Sequence, residues 1–238
     1  AKKIFMRKKI LMVIGCCFIA VAIYSQNYVH ERNNPLVKIK PVIGIKAYAF
    51  NLRDVKLLDG SAFKNAMDKD AAYLLEIEPD RLLHRFYKNA HLPVKDSVYG
   101  GWESEGLSGH TLGHYLSTGD KRFKEKVDQI IVELEQCQRA RGTGYIGAIP
   151  NEDTLFAKVS RGEIKSGGFD LNGGWSPWYT VHKVMAGLLD AYLFTDNRKA
   201  LKLVSGMADW TYNTINHLTT EQLDKMLNCE YGGMNDRK

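Results

Sequence analysis

Residues 177–194 constrain the fold more than any other part of the sequence. Ser176 and Pro177 form a helix start signal, and the helix that follows is apolar almost all round, with Val181, Val184, Met185, Leu188, Leu189 and Tyr192. Such a helix has to be covered on most sides, so the chain must supply neighbours for several of its faces. It does. Residues 120–139 put Phe123, Val127, Ile130, Ile131, Leu134 and Cys137 on one stripe and stop near Gly142, the pattern of a long helix with one buried face. Residues 61–75, 79–88 and 198–216 read as further amphipathic helices, and Thr219 with Gln222 fits a capping box for a short one. Residues 27–59 read instead as a short extended segment, with Pro35 and Pro41 as breakers and β-rich pieces at 36–40 and 42–48.

The turn Tyr115-Leu116-Ser117-Thr118-Gly119-Asp120-Lys121-Arg122 is echoed by Tyr192-Leu193-Phe194-Thr195-Asp196-Asn197-Arg198-Lys199, each leading into an amphipathic helix. Repeated helical hairpins follow from this, in which one helix is fully covered and its partner half-exposed. The expected fold class is therefore all-α. A toroid of inner and outer helices and a helical solenoid both produce this pattern.

The formal net charge is +6, but five of the cations, Lys2, Lys3, Arg7, Lys8 and Lys9, fall in residues 1–26, where there is no acid. With those five set aside, the rest carries 28 basic against 27 acidic residues, which gives nucleic-acid binding no electrostatic support. The basic cluster is followed by the apolar run from Ile10 to Ile23 and then by small and polar residues around Ser25 and Gln26, the order of a secretory signal peptide. That run is short of the roughly 20 residues a membrane span needs, so no stable span is expected after cleavage between Ala22 and Gln26. Export to the periplasm or beyond the cell is the expectation. A competing reading takes Val13-Ile14-Gly15-Cys16 as a lipoprotein box with Cys16 lipidated, at the cost of a very short apolar region before it. Beyond the signal only Cys137 and Cys229 remain, too few for a disulfide framework. Cys137, on an apolar stripe, reads as a small buried hydrophobe rather than a reactive thiol.

Candidate chemistry lies in loops rich in glycine and aromatics. These are Tyr99-Gly100-Gly101-Trp102-Glu103, Gly142-Thr143-Gly144-Tyr145-Ile146-Gly147, Asn172-Gly173-Gly174-Trp175-Ser176-Pro177-Trp178-Tyr179 and Cys229-Glu230-Tyr231-Gly232-Gly233-Met234-Asn235-Asp236. Tryptophan and tyrosine offer flat apolar faces with one polar edge, which match sugar rings, and no phosphate-cradling glycine loop followed by lysine is present. The same aromatics could simply plug the ends of a helical bundle. His110 and His114, four apart, share a helix face; the spacing can hold zinc, yet it lacks the glutamate of a zinc protease, which leaves substrate contact or a structural role. His182 sits on the apolar helix one turn after Trp178, where an ionisable ring must find a hydrogen-bond partner or point into a polar cavity. Acid–base carboxylates could come from Glu103, Glu105, Asp170, Asp190 or Glu230, and spacing singles out no pair.

The ordered blocks Phe50-Asn51-Leu52-Arg53-Asp54-Val55-Lys56-Leu57, Tyr73-Leu74-Leu75, Pro79-Asp80-Arg81-Leu82-Leu83 and Tyr99-Gly100-Gly101-Trp102-Glu103 carry a family resemblance. So do Gly109-His110-Thr111-Leu112-Gly113-His114-Tyr115-Leu116, Tyr145-Ile146-Gly147-Ala148, Trp178-Tyr179-Thr180-Val181-His182-Lys183, Gly187-Leu188-Leu189-Asp190 and Gly232-Gly233-Met234-Asn235. Together they resemble the β-L-arabinofuranosidase-like glycoside hydrolases of families 127 and 146. The resemblance implies an (α/α)6 barrel, here an incomplete helical-hairpin toroid over residues 60–238, preceded by a signal peptide over 1–26 and the extended segment 27–59. It implies a retaining enzyme acting on L-arabinofuranoside-containing glycans of plant cell walls. The nucleophilic cysteine, its zinc ion and the acid/base glutamate are expected beyond Lys238, so no catalytic residue and no zinc ligand is assigned in this chain. The fragment alone is expected to be inactive.

What carries over is the wall of the sugar pocket. Trp102, Glu103, His110 and His114 match one conserved rim and His182 a position expected to touch the sugar, with Trp175 and Trp178 added from the loop reading. Two departures stand out. Leu116-Ser117 runs directly into Thr118-Gly119-Asp120, where relatives have an alanine-rich helical stretch about two turns longer, and Asp236 stands where relatives usually have glutamate. Two other readings compete. One is a non-catalytic carbohydrate-binding helical module; the other is a different (α/α)6-barrel glycosidase, such as an unsaturated-uronide hydrolase using two aspartates.

Overall fold

The computed structural model describes residues 55–118, 120–230 and 234, and the expected signal peptide and β-rich pieces lie outside them. Residues 1–65 and 66–238 cluster as separate compact units, the division falling inside the first described helix. That helix, α1 (Ala62–Glu76), starts where the Ser61 hydroxyl accepts the Lys64 amide at 3.1 Å. The segment expected as one helix from Pro79 is two short ones, α2 (Pro79–Leu82) and α3 (His84–Asn89), separated at the fully buried Leu83. After α4 (Trp102–Glu105) and α5 (His110–Leu116), a 3-10 turn at Lys121–Phe123 leads into α6 (Lys124–Arg141). Gly142, at φ 69°, ends α6 in the left-handed conformation that glycine adopts without strain.

Besides α4, which forms where a glycine-rich loop is expected, two elements escape the sequence reading. One is α7 (Glu152–Ser160). The other is a small antiparallel sheet of two-residue strands, β1 (Ser166–Gly167), β2 (Asp170–Leu171) and β3 (Gly174–Trp175). The chain continues with α8 (Pro177–Thr195), α9 (Arg198–Ile215) and α10 (Thr220–Leu227). The capping box of α10 forms as the sequence indicates: the Thr219 hydroxyl accepts from the Gln222 amide, and the Gln222 side chain accepts from the Thr219 amide.

The architecture is all-α, built of paired hairpins. α8 is buried nearly all round, whereas α6 and α9 each bury one face, Val127, Ile130, Ile131, Leu134 and Cys137 on α6 and Ala200, Leu203 and Met207 on α9. The hairpin α5–α6 lies beside the hairpin α8–α9 with like helices matched. Along the covered pair, His110 faces Tyr179, Gly113 meets Lys183 and Leu116 meets Gly187, so α5 and α8 run parallel. Along the half-exposed pair, Asn197 Nδ2 donates to Asp128 at 2.8 Å and Gln138 Nε2 to the Leu203 carbonyl at 2.9 Å, so α6 and α9 also run parallel. Parallel inner helices with parallel outer helices form the repeating unit of an (α/α) toroid.

The inner pair touches backbone to backbone. A Cβ on Gly113 would collide with the Lys183 carbonyl, and one on Gly187 with the Gly113 carbonyl, so glycine at both sites sets the interhelical distance. With 7 residues, α5 is about 10 Å long and cannot cover the 19 residues of α8, and the last turn of α8, Tyr192 to Thr195, is only half-buried.

Beyond the end of α6, a buried carboxylate fastens the connection to α7. Glu152 accepts from the Ile149 amide and the Tyr145 hydroxyl, each at 3.0 Å, and pairs with Arg141 at 3.1 Å. Burial outweighs the arginine and pushes the Glu152 carboxyl up to about 7.

Two predictions follow from this packing. Gly113→Ala improves intrinsic helix propensity by roughly 1 kcal/mol, yet the steric clash should make it destabilising by about 2 kcal/mol net, read as a lower denaturant midpoint; a higher midpoint would contradict the contact. Because the native pKa of Glu152 lies above its unfolded value, its contribution is fully present below about pH 4.5 and is lost as pH rises toward 7, at no more than ~1.4 kcal/mol per pH unit. Glu152→Gln should flatten that slope in urea unfolding between pH 4.5 and 7.

Candidate active site

The loops feeding α5 and α8 meet because those helices are parallel. Trp102 and Trp175 approach edge to face with centroids 6.5 Å apart, Trp102 lies 5.9 Å from the His110 ring, and His110 lies 6.0 Å from Tyr179. Trp102, Trp175, Trp178 and Tyr179 line a cavity of about 710 Å³ together with Glu230, and Trp102 is 59% exposed within it. This is a size and an aromatic lining suited to a small ligand.

Behind this face, two carboxylates hold the helix starts. Glu103 turns into the protein: its oxygens accept from the Gly109 amide at 2.8 Å and the Thr111 amide at 3.2 Å, and one lies 3.3 Å from His110 Nδ1. Glu230 does the same for α8, accepting from the Trp178 amide at 2.9 Å and the Tyr179 amide at 3.0 Å. Ser176, the expected local cap, instead has a left-handed backbone at φ 43° and no side-chain bond to the helix amides. An ionised carboxylate suits the positive end of a helix, although burial raises the Glu230 carboxyl above the usual range despite the Tyr179 and Trp178 amides and the Ser176 hydroxyl. Burial and the neighbouring Glu230 push the Cys229 thiol, in the same cavity wall, up to about 12, which leaves it protonated and a poor nucleophile at neutral pH.

The remaining candidates fall elsewhere. His182 is buried on α8 and does not line the cavity. His110 is buried behind Trp102, its Nδ1 2.6 Å from the Leu107 carbonyl. His114 is exposed, and desolvation, Lys183 and His110 together lower its pKa. Among the other carboxylates, Glu105 and Asp170 are exposed and Asp190 is buried on α8.

The zinc ion implied by the family resemblance has no ligand set among the described residues. No three His, Cys, Asp or Glu side chains converge there, and the rings of His110 and His114 stand 6.2 Å apart at 86°. No step of the chemistry derived from these residues passes through a metal.

What the sequence reading missed is the capping role of Glu230 and Glu103. The spacing rules for helix caps are local, whereas Glu230 lies 52 residues from Trp178. Since α5 has few turns to hold it, Glu103→Ala should cost roughly 1–2 kcal/mol, a loss of several degrees in Tm. An unchanged Tm would mean that water satisfies those amides equally well.

Comparison with curated proteins gives no significant match. A family model described as β-L-arabinofuranosidase, GH127 catalytic domain, matches residues 54–237. That match spans most of the chain, including every residue of the aromatic cavity and both capping glutamates, and the chain belongs to this family of glycoside hydrolases.

Proposed function

We propose that this chain forms the sugar-holding part of an exported, retaining β-L-arabinofuranosidase acting on plant cell-wall glycans. The observation that carries the reading is the convergence of Trp102, Trp175, Trp178 and Tyr179 around Glu230 in one cavity. A furanose ring presents C–H groups that stack on such faces, while the indole and phenol edges address its hydroxyls. None of the described residues lining the cavity is lysine or arginine, so a uronate carboxylate would enter without a cationic partner. This favours a neutral pentose over an unsaturated uronide.

The groups that break the glycosidic bond, and the zinc that would hold the nucleophile, belong in this reading to polypeptide outside these residues. Of the two described cysteines, Cys137 is buried within α6 and its thiol is pushed up to about 12, like that of Cys229. Export is supported by the basic cluster and apolar run of residues 1–26.

Methyl β-L-arabinofuranoside should bind the chain and change its tryptophan fluorescence, and Trp175→Ala should weaken that binding about tenfold without changing the far-UV circular dichroism. Equal binding of wild type and Trp175→Ala, or no binding at all, would refute the reading.

A further inference from the structure

Trp102 is the most exposed of the four tryptophans and owes little of its placement to packing. Its ring neighbours are Trp175, edge to face, and His110 at 5.9 Å, and more than half of its surface stays open. The angle of the indole is therefore inherited from the backbone of α4. That helix is a single turn of four residues, too short to hold itself, because the first turn of a helix is its costly one and its carbonyls point past its own end.

Arg85 on α3 supplies the missing hold. Its Nε donates to the Glu103 carbonyl at 3.2 Å and its Nη2 to the Ser104 carbonyl at 2.8 Å. These are consecutive carbonyls of α4, and a planar guanidinium that grips both fixes the turn against rotation, which a single donor cannot do. The base it stands on is firm: the next two residues, Phe86 and Tyr87, are buried, and a Cβ on Gly109, just before α5, would lie 2.9 Å from the Phe86 ring. Among the described residues, the other hydrogen bonds to α4 come from residues 101–111, including Ser108 onto the Glu103 carbonyl and the Gly109 and Thr111 amides onto its carboxylate. Arg85 alone reaches α4 from an earlier element, and it does not line the cavity. Arg81 makes a similar contact with the segment before α4, donating to the Ser97 and Val98 carbonyls at 3.3 and 3.5 Å and lying 3.9 Å over the Tyr99 ring.

We propose that Arg85 is a positioning residue for sugar binding: by holding the Glu103 and Ser104 carbonyls, it sets the angle at which Trp102 faces Trp175 and the bound ring. The inference rests on the sugar reading above and adds a residue that acts on the sugar only through Trp102.

Calorimetric titration of the chain and its variants with methyl β-L-arabinofuranoside tests it. Arg85→Ala should weaken binding about fivefold and Arg85→Lys about threefold, since lysine keeps the charge but reaches one carbonyl, whereas Arg81→Ala should change it less than twofold. Trp102→Ala should itself bind more weakly than wild type, and adding Arg85→Ala to it should bring no further loss, because the two residues act as one unit. The same cycle run with Arg85→Lys decides the matter if alanine at 85 unfolds the chain. Unchanged binding in both Arg85 variants, an equal loss in Arg81→Ala, full affinity in Trp102→Ala, or a loss that persists in the Trp102→Ala background would each overturn the inference. Failure of the wild-type chain to bind the glycoside would remove the sugar reading, and this inference with it.

Discussion

Gly113 and Gly187 allow α5 and α8 to lie backbone against backbone, and the position of every cavity residue on those helices depends on that contact. Two helices normally stand 8–10 Å apart because side chains fill the space between them. Removing the side chain at both sites draws the helices together, and because they are parallel it also brings their first turns side by side. The elements that precede those turns, α4 and β3, carry Trp102 and Trp175, which is why rings from distant segments meet edge to face. A solenoid would use the same hairpins, but the aromatic cluster needs only the local parallel pair.

Bringing two helix starts together also brings two sets of unpaired amides and two positive dipole ends together. Glu103 and Glu230 answer both problems, one at each helix. The consequence for the site is electrostatic. Two of the five carboxylates that sequence inspection nominates for chemistry, Glu103 and Glu230, accept from backbone amides, and the helix ends they cap attract an anionic ligand less. The described lining holds no basic residue and its one carboxylate, Glu230, is turned to the α8 amides, which suits a sugar without charge.

Much of the fold was legible because it is periodic. The stripes of α6 and α8 and the capping box of α10 are local patterns; α8 and α10 form within a residue of where the sequence places them, while α6 starts at Lys124 rather than at residue 120, with a 3-10 turn at Lys121–Phe123 before it. The hairpin echo was equally informative, since the same turn before α6 and α9 means the same packing. What stayed hidden has nonlocal causes. α7 is short and opens with two acids, and its fixing point is a buried Glu152 that only the Arg141 and Tyr145 neighbourhood explains. The sheet consists of two-residue strands set by turns, with too little alternation to register as strand. In the site, three of the seven nominated residues, Trp102, Trp175 and Trp178, line the cavity, while Glu103, His110, His114 and His182 do not. The three tryptophans lie within a few residues of the glycine-rich turns that start α4 and α8, so the sequence places them at the helix starts, whereas the direction in which a helical histidine or Glu103 turns is decided by partners that the local sequence does not contain.

The cavity and the Glu152 junction are joined through a stack of rings. Tyr145, whose hydroxyl donates to Glu152, stacks on Trp210 at 4.1 Å; Phe156 packs edge on against Trp210 at 4.9 Å and against Trp178 at 5.1 Å. Trp178 is therefore held from behind by rings whose placement depends on a carboxylate that burial drives toward neutrality. Aromatic packing of this kind is directional, since offset and edge-on geometries are favoured over others. A shift of Tyr145 would be felt at Trp178 before it was felt at Trp102, which meets Trp175 and His110 instead and is 59% exposed.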